Sequence, residues 1–373
     1  MSHKGLFRRF LEADPERLHF AAHSHHPWPD VTYEAHIRAW EDAALLMDDK
    51  WDTIFDRVIP EVRSRISALL GLPDPGTLAF APNTHELLLR LFSCLRPPVR
   101  IVTTDAEFHS FSRQARRWEE AGLAEIRRVV SEPFESFEDR MAAAVSDADL
   151  VYLSQVFFDS GFVVEDIGAI VAATRPDTFF VVDGYHGFMA IPTDLGSLSD
   201  RVFYLAGAYK YAMAGEGACF MHCPPGFGER PIDTGWFAGF ADLTTRKAEV
   251  AYGPGGDRFW GATFDPSGLY RLLAVLELME AEGITPAVIH GHVEHLQSQL
   301  LATHSVPGEL IPSREFARGN FLTFRTGQAA SLYQQLHDRK VSVDHRGDRL
   351  RIGFGIYQDR DDVERLSATL SAL

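Results

Sequence analysis

Two periodicities alternate along this chain of 373 residues. Apolar residues recur at helical spacing in Thr32–Met47, Phe55–Leu70, Glu86–Leu95, Ser267–Glu282 and Asp361–Leu370. Between them lie short β-branched and aromatic runs that read as strands: Val99–Thr103, Leu150–Leu153, Phe179–Val182, Arg201–Leu205 and Ala218–His222. From about Leu78 to Pro224 the two kinds alternate, which predicts an α/β fold with a mainly parallel central sheet flanked by helices. Beyond the Gly/Pro-rich stretch Tyr252–Asp257, a long helix leads to strands near Asn320–Arg325 and Arg349–Phe354, the pattern of a smaller α+β C-terminal domain. The expected division is an N-terminal segment 1–30, a large domain 31–255 and a small domain 256–373.

Composition narrows the partners. An apolar content of 46% and a charged content of 24% suit an ordinary globular protein with a large core. The formal charge of −16 argues against nucleic acid or an anionic membrane as partner, although a few placed arginines can still bind an anionic small molecule. Cys94, Cys219 and Cys223 are too few and too scattered for a disulfide framework. The N-terminal stretch lacks the long apolar segment of a secretory signal, and no apolar run approaches the ~18 residues of a membrane span. A cytoplasmic location is expected.

The chemistry concentrates in Phe179–Phe220. The run Phe179–Val182 ends on Asp183, with His186 three residues on, and the next strand delivers Lys210 into the small-residue loop GAYKYAMAGEG. An acid at one strand end and a lysine just past the next are what pyridoxal 5'-phosphate (PLP) requires. The lysine holds the cofactor covalently and the acid keeps its pyridine nitrogen protonated. His186 is placed to reach the cofactor's phenolic oxygen, and Tyr209 flanks the lysine. Asn83 reads as a helix N-cap with Glu86 three residues on, so Asn83 and Thr84 open a helix whose amides suit a phosphate. Phe108 and His109 follow a strand, where a flat side chain can stack on the cofactor ring. Arg351, within an apolar strand, suits a substrate carboxylate, with an internal salt bridge as the competing role. His23, His25 and His26 raise a different alternative, a metal-dependent hydrolase, but adjacent histidines converge poorly and lack an acidic partner at useful spacing.

At these residues the chain resembles the class V aminotransferase superfamily of fold type I PLP-dependent enzymes, and within it the kynureninase-like branch. AYKYAMAGEGA is similar to the family's lysine motif, VVDGYHG to its Asp–x–x–His/Gln element, NTHE to its phosphate turn and EFHS to its stacking segment. The resemblance implies Phe108 as the stacking residue, Thr263 as a phosphate contact to a neighbouring subunit in a homodimer, and Arg351 as the carboxylate site. It also implies an N-terminal loop that brings His25 to the active-site entrance, and a substrate-pocket segment at Trp236. Two departures bear on substrate. SQVFFDSG carries Phe157, Phe158 and Asp159 where kynureninases have polar and basic residues, and Trp236-Phe237-Ala238-Gly239 lacks their pocket histidine. No cysteine lies in the C-terminal region, where a desulfurase nucleophile usually sits. The implied activity is transamination of a small amino acid at its α-carbon, with kynureninase-like cleavage of a Cβ–Cγ bond as the alternative.

Overall fold

The computed structural model describes residues 2–242, 249–303 and 306–373. The alternating stretch forms one sheet from β1 (Leu78–Ala81), β2 (Val99–Thr104), β3 (Ala124–Val129), β4 (Leu150–Ser154), β5 (Phe179–Asp183), β6 (Val202–Gly207) and β7 (Cys219–His222). The strand order is β1-β7-β6-β5-β4-β2-β3. β7 runs antiparallel to β1 and β6, and the remaining pairings are parallel. The mainly parallel sheet expected from the pattern is present. β3 carries little strand signal because it is an edge, with Glu125, Arg127 and Arg128 turned outward.

Why the central strands hold their register follows from burial. Phe180, Val181 and Val182 of β5 and Phe203, Tyr204 and Leu205 of β6 are fully buried. Each large apolar side chain removed from water contributes roughly 1.5–3 kcal/mol, so a one-residue slip is strongly disfavoured. The carboxyl ends of β4, β5 and β6 therefore fall at one edge, with Ser154 opposite Asp183 and Asp183 opposite Leu205.

Helices α1 (Val31–Leu46), α2 (Thr84–Phe92), α3 (His109–Glu120) and α4 (Ser267–Ala281) surround this sheet, α1 packing along α4. The helix expected over Phe55–Leu70 is interrupted. A π-helical turn at Ile54–Val58 precedes the regular helix Ile59–Leu70, because Pro60 in its first turn cannot donate a backbone hydrogen bond.

The C-terminal region builds an antiparallel sheet from β8 (Glu309–Ile311), β9 (Phe321–Arg325), β10 (Asp344–Arg346) and β11 (Arg349–Gly353), in the order β10-β11-β9-β8. Two helices, α5 (Pro286–Ala302) and α6 (Arg360–Ser371), pack against each other beside it. The N-terminal segment joins this unit. Leu18 and His19 pair in parallel with Val341 and Ser342, and the Gly353 N–H donates to the Phe20 carbonyl at 2.7 Å. The apolar residues of α4 pack into the larger core, as do Phe321, Ile356 and Tyr357, whereas Val293, Leu296, Leu322, Leu350 and Leu366 join Leu18 and Phe20 in a smaller one. Among the described residues, no helix is long and apolar enough to cross a membrane.

Candidate active site

A cavity of about 1080 Å³ opens at the carboxyl edge of β4–β6. Asp183, the last residue of β5, has both carboxylate oxygens occupied. Its Oδ2 accepts from the Tyr152 hydroxyl at 2.7 Å and its Oδ1 from the Tyr185 N–H at 2.9 Å. Burial pushes its carboxyl above the usual range, while those two donors and the Lys210 charge pull it back.

Lys210 follows β6 on a loop pinned by its own backbone. The Ala214 N–H donates to the Ala208 carbonyl and the Ala208 N–H to the Ala218 carbonyl, each at 2.9 Å. The side chain is buried, and its Nζ lies 5.1 Å from the ring centres of both Phe108 and Tyr185. Desolvation lowers its pKa to about 7, so the amine is largely neutral just above neutrality. Its nearest polar neighbour is His186 Nε2 at 2.6 Å. That nitrogen also lies 3.2 Å from the His23 carbonyl, which can only accept. Nε2 therefore carries the proton and donates to both the carbonyl and the neutral amine. Burial, with Lys210 beside it, holds the His186 pKa well below its ordinary value.

Two glycines make room at this edge. A Cβ on Gly184 would stand 2.0 Å from the Tyr204 ring, and one on Gly207 would stand 2.5 Å from Cys219 Sγ. Neither position admits a side chain without displacing a buried neighbour.

The other walls come from helix starts. Asn83 caps α2, its Oδ1 accepting from the Glu86 N–H at 2.9 Å, and Asn83, Thr84 and His85 all line the cavity. The first turn of a helix presents amides without intrahelical partners, a ready site for an anion. Phe108 precedes α3 and is 39% exposed, with one face toward the cavity and its ring edge-on to Phe158 at 5.5 Å. Tyr209 lines the cavity beside Lys210.

Arg351 reaches the same cavity from β11. It is 3% exposed, and it donates to the Asp344 carboxylate and the Phe158 carbonyl. The internal ion pair weighed from the sequence is thus formed, yet Arg351 still faces the cavity and its Nε has no partner.

The N-terminal loop reaches the cavity with His23 and Ser24 and sets the expected His25 against the cavity-lining Tyr209. Gly353 holds Phe20 against β11, which brings His23 and Ser24 to the cavity; the turn in which the Ser24 and His25 N–H groups both donate to the Ala21 carbonyl then directs His25 outward. His25 is exposed, packs 5.3 Å from the Tyr209 ring, and is not among the cavity-lining residues. His23 is 1% exposed, stacked on Phe321 at 4.7 Å, with neither ring nitrogen hydrogen-bonded. Burial and the nearby Arg351 charge keep it neutral. His26 is buried elsewhere, its Nδ1 at 2.7 Å from the Pro27 carbonyl. Among the described residues, no group of three His, Cys, Asp or Glu side chains is arranged to hold a metal ion.

Trp236 and Thr263 also lie outside this chain's own cavity. They pair with each other, the Trp236 indole N–H donating to Thr263 Oγ1 at 3.0 Å, and both are exposed. Residues that sequence reasoning missed include Tyr152, Tyr185 and Glu107. Glu107 lies behind Ser154, accepting from the Thr104 hydroxyl at 2.7 Å and from the Ser154 hydroxyl at 2.5 Å. Only contacts across the sheet reveal these roles; the sole local signal was EFHS, where Glu107 precedes Phe108.

No family model matches the chain. It is 26% identical over 347 residues to the isopenicillin N epimerase of Streptomyces clavuligerus, covering 84% of each sequence. Its structure is similar to the cystine C-S lyase C-DES in complex with cysteine persulfide, with a TM-score of 0.81 at 16% identity, over 95% of this chain and 97% of that one. A C-DES mutant with glycine covalently linked to its PLP cofactor gives 0.82 at 16% identity, over 98% of each chain. An apo cysteine desulfurase from Thermococcus onnurineus NA1 gives 0.82 at 16%, over 100% of this chain and 98% of that one. With Asp183 and Lys210 at adjacent strand ends and the antiparallel β7 beside them, the chain has the fold type I architecture of PLP-dependent enzymes.

Proposed function

We propose that this protein is a PLP-dependent enzyme of the class V group that acts at the α-carbon of an amino acid. The observation that carries the reading is the meeting of Lys210 and Asp183 on one cavity, with the lysine buried and its pKa lowered to about 7. The residues present fit the cofactor. Lys210 would hold it covalently, Asp183 would face its pyridine nitrogen, Phe108 would cover the ring, and the Asn83–Thr84 turn would take its phosphate. Gly184 and Gly207 let the strand ends next to the site pack closely against Tyr204 and Cys219. His186 and Tyr209 stand beside the lysine as further cofactor contacts. Bound there, PLP would supply an electron sink that acidifies the substrate's α-hydrogen.

The chain's own residues then divide the work. Arg351 orients the substrate carboxylate through its unpaired Nε and its in-plane N–H groups. Lys210, released as a neutral amine, takes the α-proton, a role suited to a base that titrates near the working pH. Tyr152 and the Tyr185 N–H hold Asp183 in place as a buried anion awaiting a cationic partner. The buried Phe158 and His186, with the half-buried Tyr185, limit water at the reacting centre.

Transamination is the outcome we assign: with PLP bound and water supplying the carbonyl oxygen, the substrate would leave as an oxo acid and its amino group would stay with the cofactor for transfer to an acceptor. A second outcome, inversion at the α-carbon, is favoured by the epimerase likeness. It needs a second proton-transfer group, and His23 offers an unbonded neutral imidazole in the same cavity. Desulfurase-type sulfur transfer is disfavoured, since burial pushes the Cys94, Cys219 and Cys223 thiols up to about 12 and leaves them protonated.

We assign a homodimer with shared sites, in which Thr263 and Trp236 of one chain serve the partner's cavity. The exposed aromatic side chains of Trp40, Trp236 and Phe240 support this assembly. Light scattering at assay concentration should give twice the mass of the 41.7 kDa chain. Borohydride reduction of the purified protein, followed by mass spectrometry, tests the central reading. A cofactor adduct on Lys210 is expected, and an adduct on another lysine, or none, rejects it.

A further inference from the structure

Beyond the ligands assigned above, the cavity holds positive charge with nothing to neutralise. Arg113, Arg116 and Arg117 lie on one face of α3 and line the cavity, with Arg346 contributed from β10. Arg346 is committed to Asp344 at 2.9 Å, and Arg117 pairs loosely with Glu120 at 3.8 Å. Among the described residues, Arg113 and Arg116 form no ion pair, and both are exposed at the cavity wall. The acids that line the same cavity are Glu120, Glu216 and Asp183, the last already held by Tyr152 and the Tyr185 N–H. A basic wall inside a chain of net charge −16 runs against the protein's own balance, and such a cleft concentrates anions.

The anions already placed do not use this wall. The cofactor phosphate has the α2 start, and the substrate's α-carboxylate has Arg351. Measured along the axis of α3 at the rise of an α-helix, Arg113 lies about 7.5 Å and Arg116 about 12 Å beyond Phe108. Their side chains lean back toward the helix start, and hence toward the reacting centre. We propose that the substrate is an amino acid carrying a second anionic group, a carboxylate or an equivalent, at the far end of its side chain, bound by Arg113 and Arg116. This rests on the PLP reading of the site, and it names the substrate class that the reading leaves open.

The inference is tested on the holoenzyme with two isosteric pairs, L-glutamate against L-glutamine and L-2-aminoadipate against its side-chain amide, L-homoglutamine. Affinity is read from the change in cofactor absorbance on binding, and kcat/KM wherever turnover occurs. The wild type should prefer an acidic member over its neutral partner, and the preference should shrink as salt rises from low to physiological strength. In the double variant Arg113→Gln/Arg116→Gln, the acidic-to-neutral ratio should fall about fivefold or more, as expected for two partly exposed ion pairs. No preference in the wild type, or a ratio untouched by the double variant, overturns the proposal. Loss of cofactor content in the double variant would give the arginines to the phosphate. A change in oligomeric mass would give them to a second copy of the chain. Either result also overturns it. In each of these cases a borohydride-trapped Lys210 adduct in the wild type leaves the PLP reading standing. Absence of that adduct defeats the reading itself.

Discussion

The two halves of the cavity are built differently. On the sheet side, Asp183 has both oxygens bonded, Lys210 is backed by His186, and Asn83 is tied into its own helix. On the side of the small sheet, Arg351 keeps a free Nε and His23 has no hydrogen bond at either ring nitrogen. Polar groups this deeply buried are normally paired, and leaving one unmade costs about 1–3 kcal/mol. The contrast teaches that the sheet side is organised for a permanent occupant, whereas the other side holds donors in reserve for a ligand that comes and goes.

The sharpest way to break this comparison is Lys210→Ala. It should remove the trapped adduct and lower turnover by about 10³-fold or more, because covalent attachment and base are lost together. Far-UV circular dichroism should stay unchanged, since the loop is held by backbone bonds. In the wild-type apoprotein, adduct formation with added PLP requires the neutral amine. Its rate should therefore rise as pH increases toward and through about 7 and flatten above. A rate still climbing toward pH 10 would show that the lysine is solvated and that the sheet side is not preformed.

Asp183→Asn should retain the cofactor yet lose on the order of 10²-fold or more in kcat, the scale of removing one aimed electrostatic partner. Near-normal turnover of an identified substrate would show that Asp183 serves only its bonds to Tyr152 and Tyr185.

Arg351 tests the other half. Arg351→Ala should raise the amino-acid KM about 30-fold or more, while cofactor affinity changes little. Because Arg351 also pairs with Asp344, its melting temperature should fall as well. Arg351→Lys separates the two roles: a point charge can keep the Asp344 pair but cannot reproduce a two-pronged grip on a carboxylate. Restored melting temperature with KM still raised supports the substrate role. Restoration of both, or an unchanged KM in the alanine variant, makes Arg351 a purely structural partner.

The same division explains what was legible in the sequence. Asp183, Lys210 and Asn83 sit where local pattern changes, at a strand end, past a strand and at a helix cap, so neighbouring residues announce them. Strands β2, β4, β5, β6 and β7 and helices α1, α2 and α4 were readable for that reason, within a residue or two at most ends, whereas α3 and the edge strand β3 were not. Arg351 stood out as a cation in an apolar strand, but its Asp344 partner is visible only once β10 and β11 pair. His23 and His25 look alike in AHSHHPWP, and the bond between Gly353 and Phe20 decides which of them enters. Arg113, Arg116 and Arg117 drew no reading from the sequence, and only the cavity beside α3 brings them out. The smaller the sequence separation of the contacts that define a residue, the more of its role could be read in advance.

The smallest expected effect concerns a group behind the sheet side. Burial, reinforced by the Asp183 charge, pushes the Glu107 carboxyl from 4.5 up to about 8. Between those values the folded protein binds a proton that the unfolded chain has released, so this group's contribution to stability falls as pH rises from 4.5 to about 8. Glu107→Gln removes the titration and keeps the contacts. An amide oxygen can accept from the Thr104 hydroxyl and the Ser154 N–H, while its NH₂ donates to Ser154 Oγ. The variant should melt within about a degree of wild type at pH 5 and about 2 °C or more above it at pH 8.5. An equal difference at both pH values would mean that Glu107 is ionised throughout and satisfied by its three donors. The sheet side would then contain a second buried anion beside Asp183, and its claim to be the half already at rest would have to be given up.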